Sequence, residues 1–223
     1  MRACRSTGWL LAIVSIAAAP ACRSASPEPA AAPIVQPGAP GQGTRAIGVD
    51  RAADLSGVRH TPADVRFMQT MIGHHAQALE MTALVPSRST REDVRLLAGR
   101  IEASQQDEIR MMQEWLEARG ERLPDPHAHH GAGAPLMPGM LTAAQMQQLA
   151  AAKGTEFDRL FLERMISHHE GALVMVDDLF ASPGAGQEPD VFAFASDVDA
   201  DQRAEIDRMR AVLASVAAKE PQR

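Results

Sequence analysis

The sequence predicts an all-α fold, a four-helix bundle assembled from two repeated helical hairpins. Three observations predict it. Apolar residues make up 45% of the chain but aromatics only 4%, with no Tyr; the apolar content therefore comes mainly from helix-favouring Ala, Leu and Met. No segment shows the strict alternation of a half-buried strand. Third, one pattern recurs. Asp64, Phe67, Met71, His74, His75, Ala78 and Met81 reappear 94 residues later as Asp158, Phe161, Met165, His168, His169, Ala172 and Met175. Leu97, Ala98, Ile101, Gln105, Glu108, Ile109 and Met112 reappear 97 residues later as Phe194, Ala195, Val198, Gln202, Glu205, Ile206 and Met209. Each half is thus a His-His helix followed by a Gln-Glu helix, and two such hairpins make a bundle with approximate two-fold symmetry.

Residues 1–21 read as a signal peptide. Arg2 and Arg5 form a basic start, and the apolar run Trp9 to Ala19 is too short to span a bilayer as an ordinary helix. Two processing routes stay open. One is cleavage after a small residue near Ala21. The other reads Ala19-Pro20-Ala21-Cys22 as a lipobox, which makes Cys22 the lipidated first residue of an envelope protein. The chain is therefore expected to be exported, to the periplasm or cell envelope, and to meet a membrane only through an anchor at Cys22. No Cys lies beyond Cys22, so the domain has no internal disulfide and no thiolate ligand.

Residues 22–60, with Pro27, Pro29, Pro33, Pro37 and Pro40, read as a disordered Pro/Ala-rich tether. The bundle domain is predicted over 61–218: a hairpin at 61–120, a His/Gly/Pro loop at 121–140 and a hairpin at 141–218. Thr61-Pro62-Ala63-Asp64 predicts a capped start with Pro in the first turn. That helix runs to about Leu84, ahead of Pro86. The next is expected from about Thr90 to Ala118, stopped at Gly120. Thr142 should cap a short helix to about Lys153. Thr155 should open a helix through Phe180, and the last is expected from Asp190 to Ala218.

At 100° per residue, Phe67, Met71, His74, His75, Ala78 and Met81 share one helix face, as do their repeats. Gln105, Glu108, Ile109 and Met112 form a matching stripe, repeated as Gln202, Glu205, Ile206 and Met209. Four imidazoles and two carboxylates therefore face a core, where each unpaired polar group costs about 1–3 kcal/mol. One answer is structural: His75 pairs with Glu108 and His169 with Glu205, while the methionines fill space. The other is a metal site, with His74, His75, His168, His169, Met71, Met81, Met165 and Met175 as ligands. Glu108, Glu205, Gln105 and Gln202 then orient the imidazoles from behind. Imidazole suits several transition metals, and thioether selects soft ones such as Cu(I). In the loop, His127, His129 and His130 with Met137 and Met140 form a second candidate site, beside the bland reading of a solvated linker.

The Phe-x-x-x-Met-x-x-His-His-x-x-Ala-x-x-Met helix, the Gln-x-x-Glu-Ile-x-x-Met helix, the Met-Pro-Gly-Met connection and their duplication resemble the DUF305 family over about residues 61–215. The resemblance implies a ferritin-like helical fold and a secreted or periplasmic location. It also implies handling of copper or silver, with the four His and the four flanking Met residues as ligands. No catalysis is expected. A metal oxidase is the lesser alternative, because a di-iron bundle needs Glu-x-x-His motifs that neither His helix has. A metal-free scaffold of the envelope is another alternative. The net charge of −6 and the lack of a basic stripe exclude nucleic acid as a partner class.

Overall fold

The computed structural model describes residues 33–36, 43–55, 57–125 and 136–218. Two units are distinguished, residues 1–53 and 54–223. In the first, β1 (Ile34–Gln36) and β2 (Arg45–Ile47) pair antiparallel, Ile34 opposite Ile47, and a single turn α1 (Val49–Ala52) follows. Part of the stretch read as tether thus carries local pairing. The two apolar pairs Ile34-Val35 and Ala46-Ile47, on either side of a Pro- and Gly-rich connection, are its sequence source. Residues 1–21, read as a signal peptide, and Cys22, His127, His129 and His130 lie outside the described residues.

The second unit is the helical bundle. α2 (Pro62–Thr82) opens with a complete capping box: Thr61 Oγ1 accepts from the Asp64 amide, and Asp64 accepts from the Thr61 amide. Pro86 does not end the helical run. It sits in the first turn of a short α3 (Val85–Arg88), where its missing N–H costs nothing. α4 spans Glu92–Ala118, and Gly120, with φ of 70°, ends it in the left-handed region. α5 (Ala143–Ala151) begins at the Thr142 cap, and α6 covers Gly154–Ala181. α7 (Pro189–Ala217) is capped by the Glu188 carboxylate, which accepts from the Val191 amide.

α2 packs on α4, α6 on α7, α2 on α6 and α4 on α7, which closes a four-helix ring. The repeated aspartates tie one hairpin to the other. Asp64 of α2 accepts from the Gly186 amide in the α6–α7 connection, and Asp158 of α6 pairs with Ser89 in the α3–α4 connection.

The core falls into two apolar clusters. One holds Met81, Ile101, Leu162, Met165, Ile206 and Met209. The other holds Phe67, Met71, Met112, Met175, Phe194 and Val198. Because Met81 keeps company with Met165, and Met71 with Met175, α2 and α6 run antiparallel. Between the clusters lies a polar layer.

Candidate metal centre

Every helix contributes the same segment to that layer. α2 and α6 bring His74, His75, His168 and His169, all at most 1% exposed. α4 and α7 bring Gln105, Glu108, Gln202 and Glu205, at most 8% exposed. The face predicted from the helical period is therefore the inward face, in all four helices.

The repeat-equivalent His74 and His168 stack at the centre, with ring centroids 3.9 Å apart and planes tilted by 36°. Contact between equivalent residues places the pseudo-two-fold axis between these rings. His75 and His169 stand outside the pair, 6.2 and 6.3 Å from the neighbouring ring on their own helix. Nε2 of His75 lies 2.5 Å from Glu108 Oε2, and Nε2 of His169 lies 2.7 Å from Glu205 Oε2. The His–Glu pairing that the spacing predicts is thus present twice. Burial alone raises the Glu108 carboxyl, but the hydrogen bond and charge of His75, the Ser104 hydroxyl and the charge of His169 outweigh it. The group stays ionised, below the usual carboxylate range. A carboxylate can only accept, so Nε2 of His75 donates and a neutral ring carries its lone pair on Nδ1. In this arrangement a carboxylate orients an imidazole for a metal.

Burial, and then the charges of His74, His169 and His75, push the His168 imidazole well below the usual histidine range. It stays neutral, the form in which imidazole ligates a metal. Among the described residues, His75 Nδ1, His169 Nδ1, His168 Nε2, Gln105 Oε1 and Gln202 Nε2 of the layer have no hydrogen-bond partner. Three of these are imidazole nitrogens, and such orphaned polar atoms call for an explanation in a native core. Among the described residues, no three His, Asp or Glu side chains converge as a ready-made cation site. A metal here would draw on imidazole pairs together with thioethers.

The four repeated methionines divide. Met71 and Met165 precede His74 and His168 by three residues, one helical turn, and both are fully buried. Met81 and Met175 follow by seven residues, about 10.5 Å along the axis, which is far for a shared ion. All four stand in the apolar clusters that flank the layer, Met71 and Met165 nearer to the histidines along their helices than Met81 and Met175.

Of the loop residues read as a second candidate site, Met137 and Met140 are described and His127, His129 and His130 are not; the Met137–Met140 turn is not free of the bundle. It is seated on the bundle beside the histidine pair. His74 Nε2 donates to the Pro138 carbonyl at 3.0 Å. Gln77 Nε2 donates to the Leu141 carbonyl at 2.9 Å, and the Leu141 amide donates to Gln77 Oε1 at 2.7 Å. At Gly171 a Cβ would stand 2.0 Å from the Pro138 oxygen. Only glycine admits the turn this close to α6. Met140 is buried and Met137 half-buried. Sequence reasoning missed Gln77, Pro138 and Gly171. The available signal was Gly171 itself, because glycine inside a helix costs about 1 kcal/mol against Ala and needs a reason.

On the outer side of the His75–Glu108 pair, Ser104, Asp107, Glu108, Asp197 and Asp201 line a cleft of about 290 Å³. Burial and the charges of Glu108, Glu205 and Asp197 raise the Asp201 carboxyl. Among the described residues, no helix is long and apolar enough to cross a membrane.

Residues 64–213 match the family "Domain of unknown function (DUF305)". Solved structures show the same fold. A DUF305 fragment from Deinococcus radiodurans is 34% identical, with a TM-score of 0.61, and the match covers 70% of this chain and 98% of that one. A Streptomyces coelicolor DUF305 protein, described as secreted, is 32% identical with a TM-score of 0.59, over 72% and 98% of the two chains. CopM in its Cu(I)-bound form is 26% identical with a TM-score of 0.54, over 68% and 96%. A Cu(II)-bound form of CopM matches as well. No curated protein matches the chain.

Proposed function

We propose that this chain, which belongs to the DUF305 family, is an exported copper-binding protein that holds the ion in the polar layer of its bundle. One observation carries the reading. Two repeat-equivalent imidazoles are stacked in a closed core, and one of them keeps an unpartnered Nε2. A bundle gains nothing in stability from such an arrangement, whereas a metal ion gains a neutral nitrogen donor. His74 and His168 hold the ion, with Met71 and Met165 supplying thioethers from one turn away. His75 and His169, oriented by Glu108 and Glu205, complete the donor set. Copper, or silver as its soft analogue, is favoured over zinc because the other donors within reach are thioethers. CopM, of like fold, is known in Cu(I)- and Cu(II)-bound forms.

The role is binding, for resistance, storage or trafficking, without turnover. The two carboxylates of the layer are engaged by imidazoles, and neither His helix carries the Glu-x-x-His motif of a di-iron bundle, which supports this reading. Export rests on the basic-then-apolar leader and on the described secretion of the Streptomyces relative.

Calorimetric titration with Cu(I) under reducing, anaerobic conditions tests the reading, with Zn(II) as control. Saturable Cu(I) uptake is expected, weak for Zn(II), and lost when His74, His75, His168 and His169 are all replaced by Ala. Undiminished uptake by that variant would move the site out of the layer.

A further inference from the structure

Met71, Met81 and Met165 are fully buried, while the fourth repeated methionine, Met175, keeps 8% of its surface exposed. Met175 lines a cleft of about 300 Å³ together with Phe67, Thr70, Met137, Pro138 and Asp178. Its repeat partner Met81 lies inside the apolar cluster on the other side of the layer, at 0% exposure. The connecting turn makes the difference. Met137 packs on the cluster that contains Met175, so two methionines from separate elements line one solvent-reachable cleft.

Met137 is held there by a fixed backbone. The Pro138 carbonyl sits against Gly171, and in Gly139 (φ 74°) a Cβ would meet the Ser167 carbonyl at 2.4 Å. Pro138 is also the shared wall. Pro138 borders the cleft, and its carbonyl accepts from His74. Methionine usually fills gaps, and Met81 does so. A pair of thioethers beside open volume is a different situation. Thioether is a neutral, soft donor that binds Cu(I) and similar ions and has little use for hard cations.

We propose that Met137 and Met175 form a thioether docking site for a soft monovalent cation, Cu(I) or Ag(I), at the mouth of this cleft. From there the ion reaches His74 past the Pro138 peptide. The onward step rests on the reading of the polar layer as a metal site, and the docking site does not.

Ag(I) added to the whole chain, labelled at its methionine methyls, tests this by methyl NMR, with Met137→Leu and Met175→Leu assigning the two signals. Both methyl signals are expected to move together. The remaining methyl should no longer respond when the other residue is Leu, and both should respond in His74→Gln/His168→Gln. If neither signal moves, or only one does, the docking site is wrong. Imidazole ring signals followed in the same titration separate the two readings. Moving rings with still methyls overturn the docking site and leave the layer reading standing. Moving methyls with still rings support the docking site and count against the layer reading.

Discussion

Where α2 carries Gln77, the equivalent position of α6 carries Gly171, and the two residues receive opposite ends of one turn. Gln77 clamps Leu141 through two hydrogen bonds, and Gly171 lets the Pro138 carbonyl come against the helix. The same break in symmetry appears elsewhere. His74 donates to Pro138, while the equivalent nitrogen of His168 has no partner. Ser104 supports Glu108, while the second hairpin has Asp201 in the equivalent place beside Glu205. Arg91 stands at the start of α4 without a side-chain cap bond and reaches Ser215 on α7; α7 is capped by Glu188, which reaches Trp115 on α4 and Arg119 at its end. Duplication builds a symmetric frame, but a single connecting segment can cap only one of two equivalent imidazoles. That leaves the other nitrogen open.

Four experiments sharpen or break this comparison. The largest effect is expected at Gly171. Gly171→Ala drives a methyl into the Pro138 backbone, and the unfolding free energy should fall by about 3 kcal/mol in denaturant titration. Gly99→Ala, where a Cβ meets nothing within 4 Å, should instead gain up to about 1 kcal/mol. Equal effects would show that the turn is not seated on α6. Gln77→Ala leaves the buried Leu141 amide and carbonyl unpaired and should cost about 2 kcal/mol by the same measurement. A loss under about 0.5 kcal/mol would mean that the clamp adds nothing to net stability.

Glu188→Gln comes next, at about 1 kcal/mol at neutral pH. Burial raises this carboxyl, but the Val191 amide, Arg119 and Trp115 outweigh it and hold it below the carboxylate range. A depressed carboxyl stabilises above its unfolded value, near 4.5, and loses that contribution as pH falls through the folded value. The difference between wild type and variant should therefore vanish in acid. A difference independent of pH would assign the effect to the cap's shape and not to its charge.

The smallest effect is a slope. His168 is held well below the ordinary histidine value of 6.5, so the unfolded chain takes up this proton before the folded one does. Stability should begin to fall as pH drops below about 6.5 and continue until the folded ring protonates. Thermal melts of His168→Gln should be flatter over that window. An identical slope would show that His168 is not the group resisting protonation.

Much of this architecture was legible in the sequence because it repeats. The two repeated blocks specify four helices, their inward faces and the His–Glu pairings, and local chemistry at Thr61, Gly120 and Thr142 sets element ends. The seat of Met137–Met140 was not legible. It depends on contacts from Gln77, His74 and Gly171, which lie 32 to 64 residues away in the chain, and no period encodes such distances. The small ladder at Ile34–Ile47 escaped for another reason. Its two apolar pairs are too short to give a strand pattern against so much proline.

The polar layer as a soft-metal site is tested most directly by X-ray absorption at the copper edge of the Cu(I)-loaded chain, beside His74→Gln/His168→Gln. The account predicts a mixed shell of imidazole nitrogen and thioether sulfur in the wild type, with the imidazole contribution lost in the variant. A spectrum without sulfur, or one that the variant leaves unchanged, would contradict it.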